Sequence, residues 1–247
     1  GAETDRLHVW IDRWSLSSTE DPPLGQKLAA ATDAFAIDLS LTPAKPPVVH
    51  GQNGVSRKGP ATGQASHYYS LTRLTTNGHI RLGADTFAVT GLGWMDHEFG
   101  SADLADNIVG WDWFSLQLND STELMWYSLR HADGSPDPAS GGTLILADGQ
   151  SRPLTFQDLT VEPLAHWTSQ RSGARYPQRW RLTAPSIGLH LDVVSQLADQ
   201  ELDTAHSTQV TYWEGAVSAT GQARGAPVTG NGYVEMTGYA ERFRQKL

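Results

Sequence analysis

The chain contains one triplet, Asp96-His97-Glu98, whose side chains could carry out acid–base chemistry. Histidine titrates near neutral pH and neighbouring carboxylates tune it, so His97 is a candidate general acid or base with Asp96 or Glu98. The competing interpretation is a histidine that is bonded to backbone groups in a folded core. In an extended strand, Asp96 and Glu98 point to one face and His97 to the other, so the triplet alone cannot surround one metal ion. We therefore predict no metal site and no cofactor.

Asp96 and Glu98 also offer a second chemistry. Two carboxyl groups on one strand face could act as the acid and nucleophile of a glycosidase, or could only accept hydrogen bonds from amides and arginines. The sequence has no cysteine, no nucleophile elbow and no Ser-x-x-Lys pair. Nucleophilic hydrolysis therefore has no support from sequence motifs.

Tryptophan is unusually frequent, with nine tryptophans against six phenylalanines. Because an indole combines a large apolar surface with a polar N–H, this ratio favours an apolar ligand cavity with polar handles over an ordinary core. The tryptophans that could line such a cavity are Trp94, Trp111, Trp113, Trp126, Trp167, Trp180 and Trp213. Near the end of the chain Tyr233, Glu235, Thr237 and Tyr239 alternate along Gly230–Tyr239, which predicts a wet cavity wall or an outer sheet face.

Strands are predicted to position these residues. Gly93–Phe99 and Trp111–Leu118 both alternate, and the second is predicted to pair with Glu123–Arg130. Val9–Leu16 and Ala34–Thr42 alternate as well, and the large apolar side chains of Ala34–Thr42, from Phe35 to Leu41, are expected to face the core. Short strands with turns between them, and little helix, are typical of a β-sandwich or β-barrel.

Turn signals define the connections between these strands. Asn77-Gly78 predicts a hairpin that joins Ser66–Leu74 to His79–Leu82, because this dipeptide adopts tight hairpin turns readily. Gly51–Gly63 is polar and rich in glycine, and we expect it to be a mobile surface loop. A short polar connection at Ser101–Ile108 is predicted to be the boundary between two domains.

Length and charge exclude several classes of protein. The chain has 247 residues and a net charge of −9, from 18 basic and 27 acidic residues. This balance argues against binding to nucleic acid or to an anionic membrane surface. No apolar run approaches the roughly 18 residues that a membrane-spanning helix needs, so we expect a soluble protein that does not span a membrane.

Eight runs distributed along the chain resemble one known family. They are SHYYSLTRL (Ser66–Leu74), GLGWMDHEFGS (Gly91–Ser101), GWDWFSLQL (Gly110–Leu118), ELMWYSLR (Glu123–Arg130), YPQRW (Tyr176–Trp180), DQEL (Asp199–Leu202), YWEGAV (Tyr212–Val217) and GYVEMTGY (Gly232–Tyr239). Together they resemble the AttH-like "predicted secreted hydrolase" group. That group is related to the carotenoid hydratases (hydroxyneurosporene synthases) and to fungal lipocalin-like Diels–Alder cyclases.

The triplet takes part in this resemblance. Asp96–Gly100 is similar to the Asp-His-x-aromatic-Gly run of the carotenoid hydratases, which carry Trp where this chain has Phe99. Those enzymes also use an aromatic-x-Asp pair, and its nearest counterpart here, Met125–Ser128, contains no aspartate.

The resemblance implies an all-β chain with two lipocalin-like antiparallel β-barrel or sandwich domains. Residues 1–104 would form the C-terminal part of the first domain, and residues 105–247 the second domain. The family usually has a further stretch upstream of Val9–Leu16, so the resemblance implies that the first barrel is incomplete at its N-terminus and that the N-terminal segment that would complete it is either separate or lost. An extracytoplasmic location, periplasmic or secreted, is also implied. Ligand contacts are expected from Tyr69, Trp94, Trp111, Trp113, Trp126, Tyr127, Trp213, Glu235 and Tyr239.

These observations predict a protein that binds a small apolar or amphipathic molecule, lipid- or isoprenoid-like, in an aromatic-lined cavity. Acid–base chemistry of a hydratase, isomerase or hydrolase type would use His97 with Asp96 or Glu98. Two alternatives stay open: a lipocalin-like carrier without turnover, and a carbohydrate-active β-sandwich lined by tryptophans. Sugars stack on exposed tryptophans, so binding of soluble oligosaccharides would identify the carbohydrate-active alternative.

Overall fold

The computed structural model describes residues 1–21, 24–61, 63–100, 104–204, 207 and 209–243, and its regular structure is almost entirely strand. The strands up to residue 99 are β1 (His8–Ile11), β2 (Trp14–Ser18), β3 (Gln26–Ala31), β4 (Phe35–Pro43), β5 (Val48–Val49), β6 (Val55–Arg57), β7 (Ala65–Leu82) and β8 (Asp85–Phe99). The later ones are β9 (Ile108–Leu118), β10 (Glu123–His131), β11 (Gly141–Ile145), β12 (Ser151–Thr155), β13 (Thr160–Thr168), β14 (Arg175–Ala184), β15 (Leu189–Ser195), β16 (Glu201–Asp203), β17 (Thr211–Ala223) and β18 (Ala226–Thr237). One short 3₁₀ helix, Pro185–Ile187, lies between β14 and β15.

The described strands form two curled antiparallel sheets. The first has the order β1-β2-β3-β4-β7-β5, and β6 and β8 each pair with β7. The second has the order β12-β11-β10-β9-β18-β17-β15-β14-β13, and β16 pairs with β17. The prediction of an all-β chain with two lipocalin-like antiparallel domains is confirmed.

The chain divides into two compact units. Unit 1 comprises Gly1–Val48 and Ser70–His97, and unit 2 comprises Val49–Tyr69 and Glu98–Leu247. Residues 49–69 therefore group with unit 2, whereas the predicted boundary after residue 104 assigns them to the first domain. Part of the predicted connection, residues 101–103, lies outside the described residues.

The predicted hairpin at Asn77-Gly78 is wrong, because β7 passes through these residues without a turn. Gly78 lies opposite Leu39 of β4. A Cβ at Gly78 would lie 2.0 Å from the carbonyl oxygen of Asp38, so glycine here permits a close approach of two strand backbones. The chain instead reverses between β7 and β8, where Gly83 has a φ of 59°.

Two other strand predictions in unit 1 hold in part. Val9–Leu16 is not one strand but the hairpin of β1 and β2, which turns at Asp12 with a φ of 48°. Ala34–Thr42 is confirmed as strand β4. Its apolar side is buried only towards the end of the strand, because Leu41 packs in a small core cluster while Phe35 is 38% exposed.

The predicted surface loop Gly51–Gly63 contains a short strand. Val55–Arg57 forms β6 and pairs with β7 at Ala65–His67, so the loop prediction is wrong for these residues. Ser56 is buried. The polar, glycine-rich composition of this segment therefore gave no indication of the strand β6, which pairs with β7.

One face of the second sheet forms the core of unit 2. On β9 the residues Phe114, Leu116 and Leu118 point to this face and are fully buried. Val234 of β18 lies directly opposite Phe114, and Trp126 of β10 lies opposite it on the other side. Burying each such side chain stabilises the fold by about 1.5–3 kcal/mol. The strands that neighbour β9 are thereby fixed in register, and every second residue is turned towards the opposite face.

Candidate functional site

The opposite face of the second sheet, here called the polar face, carries Trp111, Trp113, Ser115 and Gln117 on β9 together with the residues opposite them on β10, β18 and β17. One row runs straight across these four strands: Tyr127, Trp113, Glu235 and Glu214. Residues directly opposite in antiparallel strands have Cβ atoms about 5 Å apart on the same face. The row therefore brings two aromatic rings and two carboxyl groups side by side.

The two carboxyl groups of this row have different hydrogen-bond partners. Trp111 Nε1 donates to Glu235 Oε1 at 2.6 Å. The Tyr233 hydroxyl donates to Glu214 Oε2 at 3.3 Å. Burial raises the pKa of Glu214, against an opposing effect of the Tyr233 bond, and burial followed by the Glu214 charge raises the pKa of Tyr233 to about 12. Glu214 is consequently a carboxyl group that is suited to donating a proton.

Segment 49–69 covers part of the polar face. His50 Nδ1 lies 2.9 Å from Thr143 Oγ1, and its ring centre lies 4.3 Å from that of Tyr68. The indole N–H of Trp113 donates to the Tyr68 hydroxyl at 3.1 Å. Burial, with a smaller effect of the Lys58 charge, lowers the pKa of His50 to about 4. His50 is therefore neutral at pH 7, and it anchors this segment on the second sheet.

Lys58 of the same segment lies over two aromatic rings. Its Nζ is 4.2 Å from the centre of the Tyr127 ring and 5.5 Å from that of Tyr68. The same atom forms an ion pair with Glu98 at 2.8 Å. A cation at this distance from an aromatic face is stabilised by about 0.5–2 kcal/mol. Since Lys58 already lies over these faces of Tyr127 and Tyr68, they are less suited to stabilising a cation in a ligand.

The predicted acid–base triplet is divided between the two units. Asp96, in unit 1, accepts hydrogen bonds from Ser70 Oγ and from Trp94 Nε1, the latter at 3.0 Å. His97, also in unit 1, is exposed. Glu98, in unit 2, is the carboxylate of the ion pair just described. Gly93–Phe99 is confirmed as part of strand β8, and the acid–base role of the triplet stays a prediction.

Two of the tryptophans expected to contact a ligand lie in the apolar core of unit 2. Trp126 is 1% exposed and donates its indole N–H to Ser128 Oγ at 3.0 Å. Trp213 is 0% exposed and donates to the carbonyl oxygen of Ala198 at 2.8 Å. Tyr69 lies at the end of segment 49–69 and is half-buried. The structure therefore brings Trp111, Trp113, Tyr127 and Glu235 together on the polar face, but not Trp126 or Trp213.

Tyr239 takes part in a separate buried network on the core side of β9. Its hydroxyl donates to Asp112 Oδ2 at 3.1 Å, and Arg130 Nε donates to Asp112 Oδ1 at 2.9 Å. The Arg130 guanidinium lies 3.9 Å from the centre of the Tyr239 ring. Burial raises the pKa of Asp112, and the Arg130 charge opposes that shift. Tyr239 leaves the face of Glu235 because β18 has ended and Gly238 has a φ of 75°.

Sequence reasoning missed four residues of the polar face and its cover. They are His50, Lys58, Tyr68 and Glu214, and none of them belongs to the triplet or to a tryptophan cluster. Glu214 carried a usable signal, because it alternates with Trp213 in the run Tyr212–Val217 and so faces away from the core. His50 and Lys58 lie in a segment whose composition is typical of a loop, and no local signal identifies them.

Membrane-spanning helices and metal-binding clusters are both absent from the described residues. Among the described residues, no helix is long and apolar enough to cross a membrane. Within the same part of the chain, no three or more histidine, aspartate or glutamate side chains are grouped so that they could hold a metal ion.

Comparisons with known proteins identify relatives of this chain. The AttH-like family model matches residues 1–239. A crystal structure from Nitrosomonas europaea that is assigned to AttH is 34% identical, with a TM-score of 0.86, and the alignment covers 96% of this chain and 71% of that one. Kievitone hydratase from Nectria haematococca is 20% identical with a TM-score of 0.77, over 96% of this chain and 72% of that one. At that identity the likeness shows the fold alone.

A curated fungal relative extends the comparison. "Dehydratase asqC" of Emericella nidulans is 26% identical over 208 residues, which are 81% of this chain. The chain spans only 57% of the length of that relative. The family model, by contrast, covers nearly every residue, and the two-sheet fold agrees with it. The chain therefore belongs to the AttH-like family.

Proposed function

We propose that the protein adds water to, or removes water from, a carbon–carbon double bond of a small apolar or amphipathic molecule, lipid- or isoprenoid-like. Two relatives support this reaction class by name, a kievitone hydratase and a dehydratase. The observation that carries the proposal is the row Tyr127, Trp113, Glu235 and Glu214, where two carboxyl groups with different partners lie beside aromatic rings.

The row provides the groups that hydration of a double bond requires. In the proposed forward reaction Glu214 donates a proton to one carbon of the double bond, and the oxygen of a water molecule bonds to the other carbon. Glu235 accepts the proton that this water loses, so the product gains one hydrogen and one hydroxyl group. Glu214 then regains a proton from Glu235 or from solvent. The Trp113 ring, which lies between Tyr127 and Glu235 in the row, stabilises positive charge that develops on carbon, as aromatic faces do.

The triplet from the sequence analysis is the alternative source of acid–base chemistry. His97, with Asp96 or Glu98, stays a proposal because histidine has the appropriate intrinsic pKa. The hydrogen-bonded partners of Asp96 and the ion pair of Glu98 favour structural roles for these two carboxylates. An extracytoplasmic location also stays a proposal, supported by the resemblance to the predicted secreted group.

Isotope labelling tests the proposed function directly. Geraniol, an isoprenoid alkene, is incubated with the protein in H₂¹⁸O, and hydrated products are detected by mass spectrometry. If the carboxyl pair provides the acid, Glu214→Gln should lower ¹⁸O incorporation by roughly 10²–10⁴-fold, the usual contribution of a general acid. Glu162→Gln, which changes an exposed glutamate of β13, is the matched control and should leave incorporation unchanged.

Other outcomes would redirect the assignment. His97→Phe keeps an aromatic ring and removes the two nitrogens. If it abolishes turnover while Glu214→Gln does not, the triplet is the acid–base group. If geraniol and related isoprenoid alkenes bind, as measured by quenching of tryptophan fluorescence, but none gains ¹⁸O, the protein is a carrier.

A further inference from the structure

We infer that Trp111 is a positioning residue for the carboxyl pair, because its indole N–H holds Glu235 in the ionised form and leaves Glu214 as the carboxyl group that carries a proton. This inference rests on the proposed function, in which the two carboxyl groups have different tasks. It assigns to Trp111 a role other than ligand contact. The geometry of the polar face supports it in three steps.

The first step is the difference between the two hydrogen bonds. Trp111 Nε1 lies 2.6 Å from Glu235 Oε1, which is short for a bond between nitrogen and oxygen and typical of a bond to a charged acceptor. An indole N–H can only donate, so it favours the carboxylate form of Glu235. The Tyr233 hydroxyl lies 3.3 Å from Glu214 Oε2 and can either donate or accept, so it tolerates a protonated Glu214.

The second step is the charge around the pair. Glu214 and Glu235 are directly opposite in the pairing of β17 with β18, and two like charges at such positions repel. Titratable groups that share the polar face with Glu235 include Glu214 and Tyr212 of β17, Tyr233 of its own strand and Tyr127 of β10, while β9 contributes the neutral Trp111 and Trp113. From segment 49–69, Tyr68 reaches Trp113, and Lys58, which lies over Tyr68, is paired with Glu98. Repulsion thus favours one proton on the pair, and the Trp111 bond places it on Glu214.

The third step is that Trp111 itself is held in place. Its backbone N–H donates to Thr237 Oγ1 at 3.1 Å, and Thr237 is fully buried. The ring of Phe243 packs against the indole edge-on, with ring centres 4.6 Å apart and an interplanar angle of 67°. The first contact fixes the backbone of Trp111 and the second restricts its indole ring, so the donor points at Glu235 before any substrate binds.

Carboxyl NMR tests this inference without a substrate. Protein labelled with ¹³C at glutamate carboxyl groups is titrated, and the signals are assigned with Glu235→Gln and Glu214→Gln. In the wild type Glu235 should titrate at lower pH than Glu214. Trp111→Phe removes the N–H and should raise the Glu235 midpoint by about one pH unit, since hydrogen bonding to the charged form favours it.

Trp113→Phe is the matched control. Its indole N–H donates to the Tyr68 hydroxyl rather than to a carboxylate, so the Glu235 midpoint should move far less. An unchanged Glu235 midpoint in Trp111→Phe overturns the inference. A wild type in which Glu214 titrates at lower pH than Glu235 overturns it as well.

A second measurement uses only the wild-type protein, so it does not depend on whether a variant at position 111 folds. In ¹H–¹⁵N spectra of the wild type, the Trp111 indole proton should shift with the same midpoint as the Glu235 carboxyl. An indole chemical shift that stays constant while the Glu235 carboxyl group titrates contradicts the inference. These readouts involve no turnover, so they decide the role of Trp111 even if every alkene tested proves not to be a substrate. If a substrate is found, the acidic limb of the pH–kcat profile should move upward in Trp111→Phe by the same amount.

Discussion

His50, the buried histidine of segment 49–69, leads us to predict a specific loss of stability at mildly acidic pH. The pKa of His50 is about 4 in the folded protein, because burial and the Lys58 charge disfavour the imidazolium, whereas an unfolded histidine titrates near 6.5. Above pH 6.5 both states are neutral and the folded state keeps its full stability. As pH falls from 6.5 towards 4, only the unfolded state takes up the proton, so stability is lost in this window.

The size of the effect follows from the same two values. Each pH unit below 6.5 should lower the free energy of unfolding by about 1.4 kcal/mol, to a total of about 3 kcal/mol near pH 4. His50→Gln removes the titration and keeps a polar group that can reach Thr143. The difference in unfolding free energy between wild type and this variant isolates His50, because the other titrating groups are common to both.

Urea denaturation at half-unit steps from pH 7.5 to pH 4.5 measures this difference. The wild type should lose stability relative to His50→Gln steadily below pH 6.5. If the difference stays constant across the range, His50 is not buried as a neutral side chain, and its proposed function as the anchor of segment 49–69 fails. A wild type that instead gains stability relative to His50→Gln as the pH falls below 6.5 would refute the direction of the pKa shift.

Two further predictions concern unit 2. Asp112→Asn should lower the free energy of unfolding by about 3–5 kcal/mol, because it removes the carboxylate that pairs with Arg130, whose side chain is only 11% exposed. A loss below 1 kcal/mol in urea denaturation would contradict the role of this ion pair. Gly142→Ala should cost about 1–3 kcal/mol, since its Cβ would lie 2.2 Å from the Met125 carbonyl oxygen. The control is Gly91→Ala in unit 1, where no atom lies within 4 Å of the added Cβ, and it should leave the denaturation midpoint nearly unchanged.

Alternation within a strand was enough to predict which residues share a face. Trp111–Leu118 and Glu123–Arg130 pair as expected, and Trp111 and Trp113 lie on the face opposite Phe114 because the parity of a strand is written in its sequence. The partnership of Glu214 with Glu235 was not accessible in this way. It depends on the register between β17 and β18, which is determined by packing along the whole strand pair.

Turn and loop signals misled the prediction where a tertiary contact overrides local preference. Asn77-Gly78 has the composition of a hairpin turn, yet Gly78 serves the close approach of β4 and β7. The segment that contains Lys58 has the composition of a mobile loop, yet Tyr68, Tyr127 and Glu98 surround the lysine ammonium group. Both features arise from neighbours distant in sequence, so no local pattern could have revealed them.

The position of the row Tyr127, Trp113, Glu235 and Glu214 also determines which substitutions the fold should tolerate. Each strand in the row presents a buried apolar residue to the core at one position next to the row: Trp126 beside Tyr127, Phe114 beside Trp113, Val234 beside Glu235 and Trp213 beside Glu214. If the pairing register of these strands slipped by one residue, the carboxyl groups would be buried and the core side chains exposed. Packing of the core therefore also fixes the alignment of the row. Mutational libraries restricted to the polar face could therefore vary its side chains while the fold is left intact. The same libraries shifted by one position would mostly yield unfolded chains.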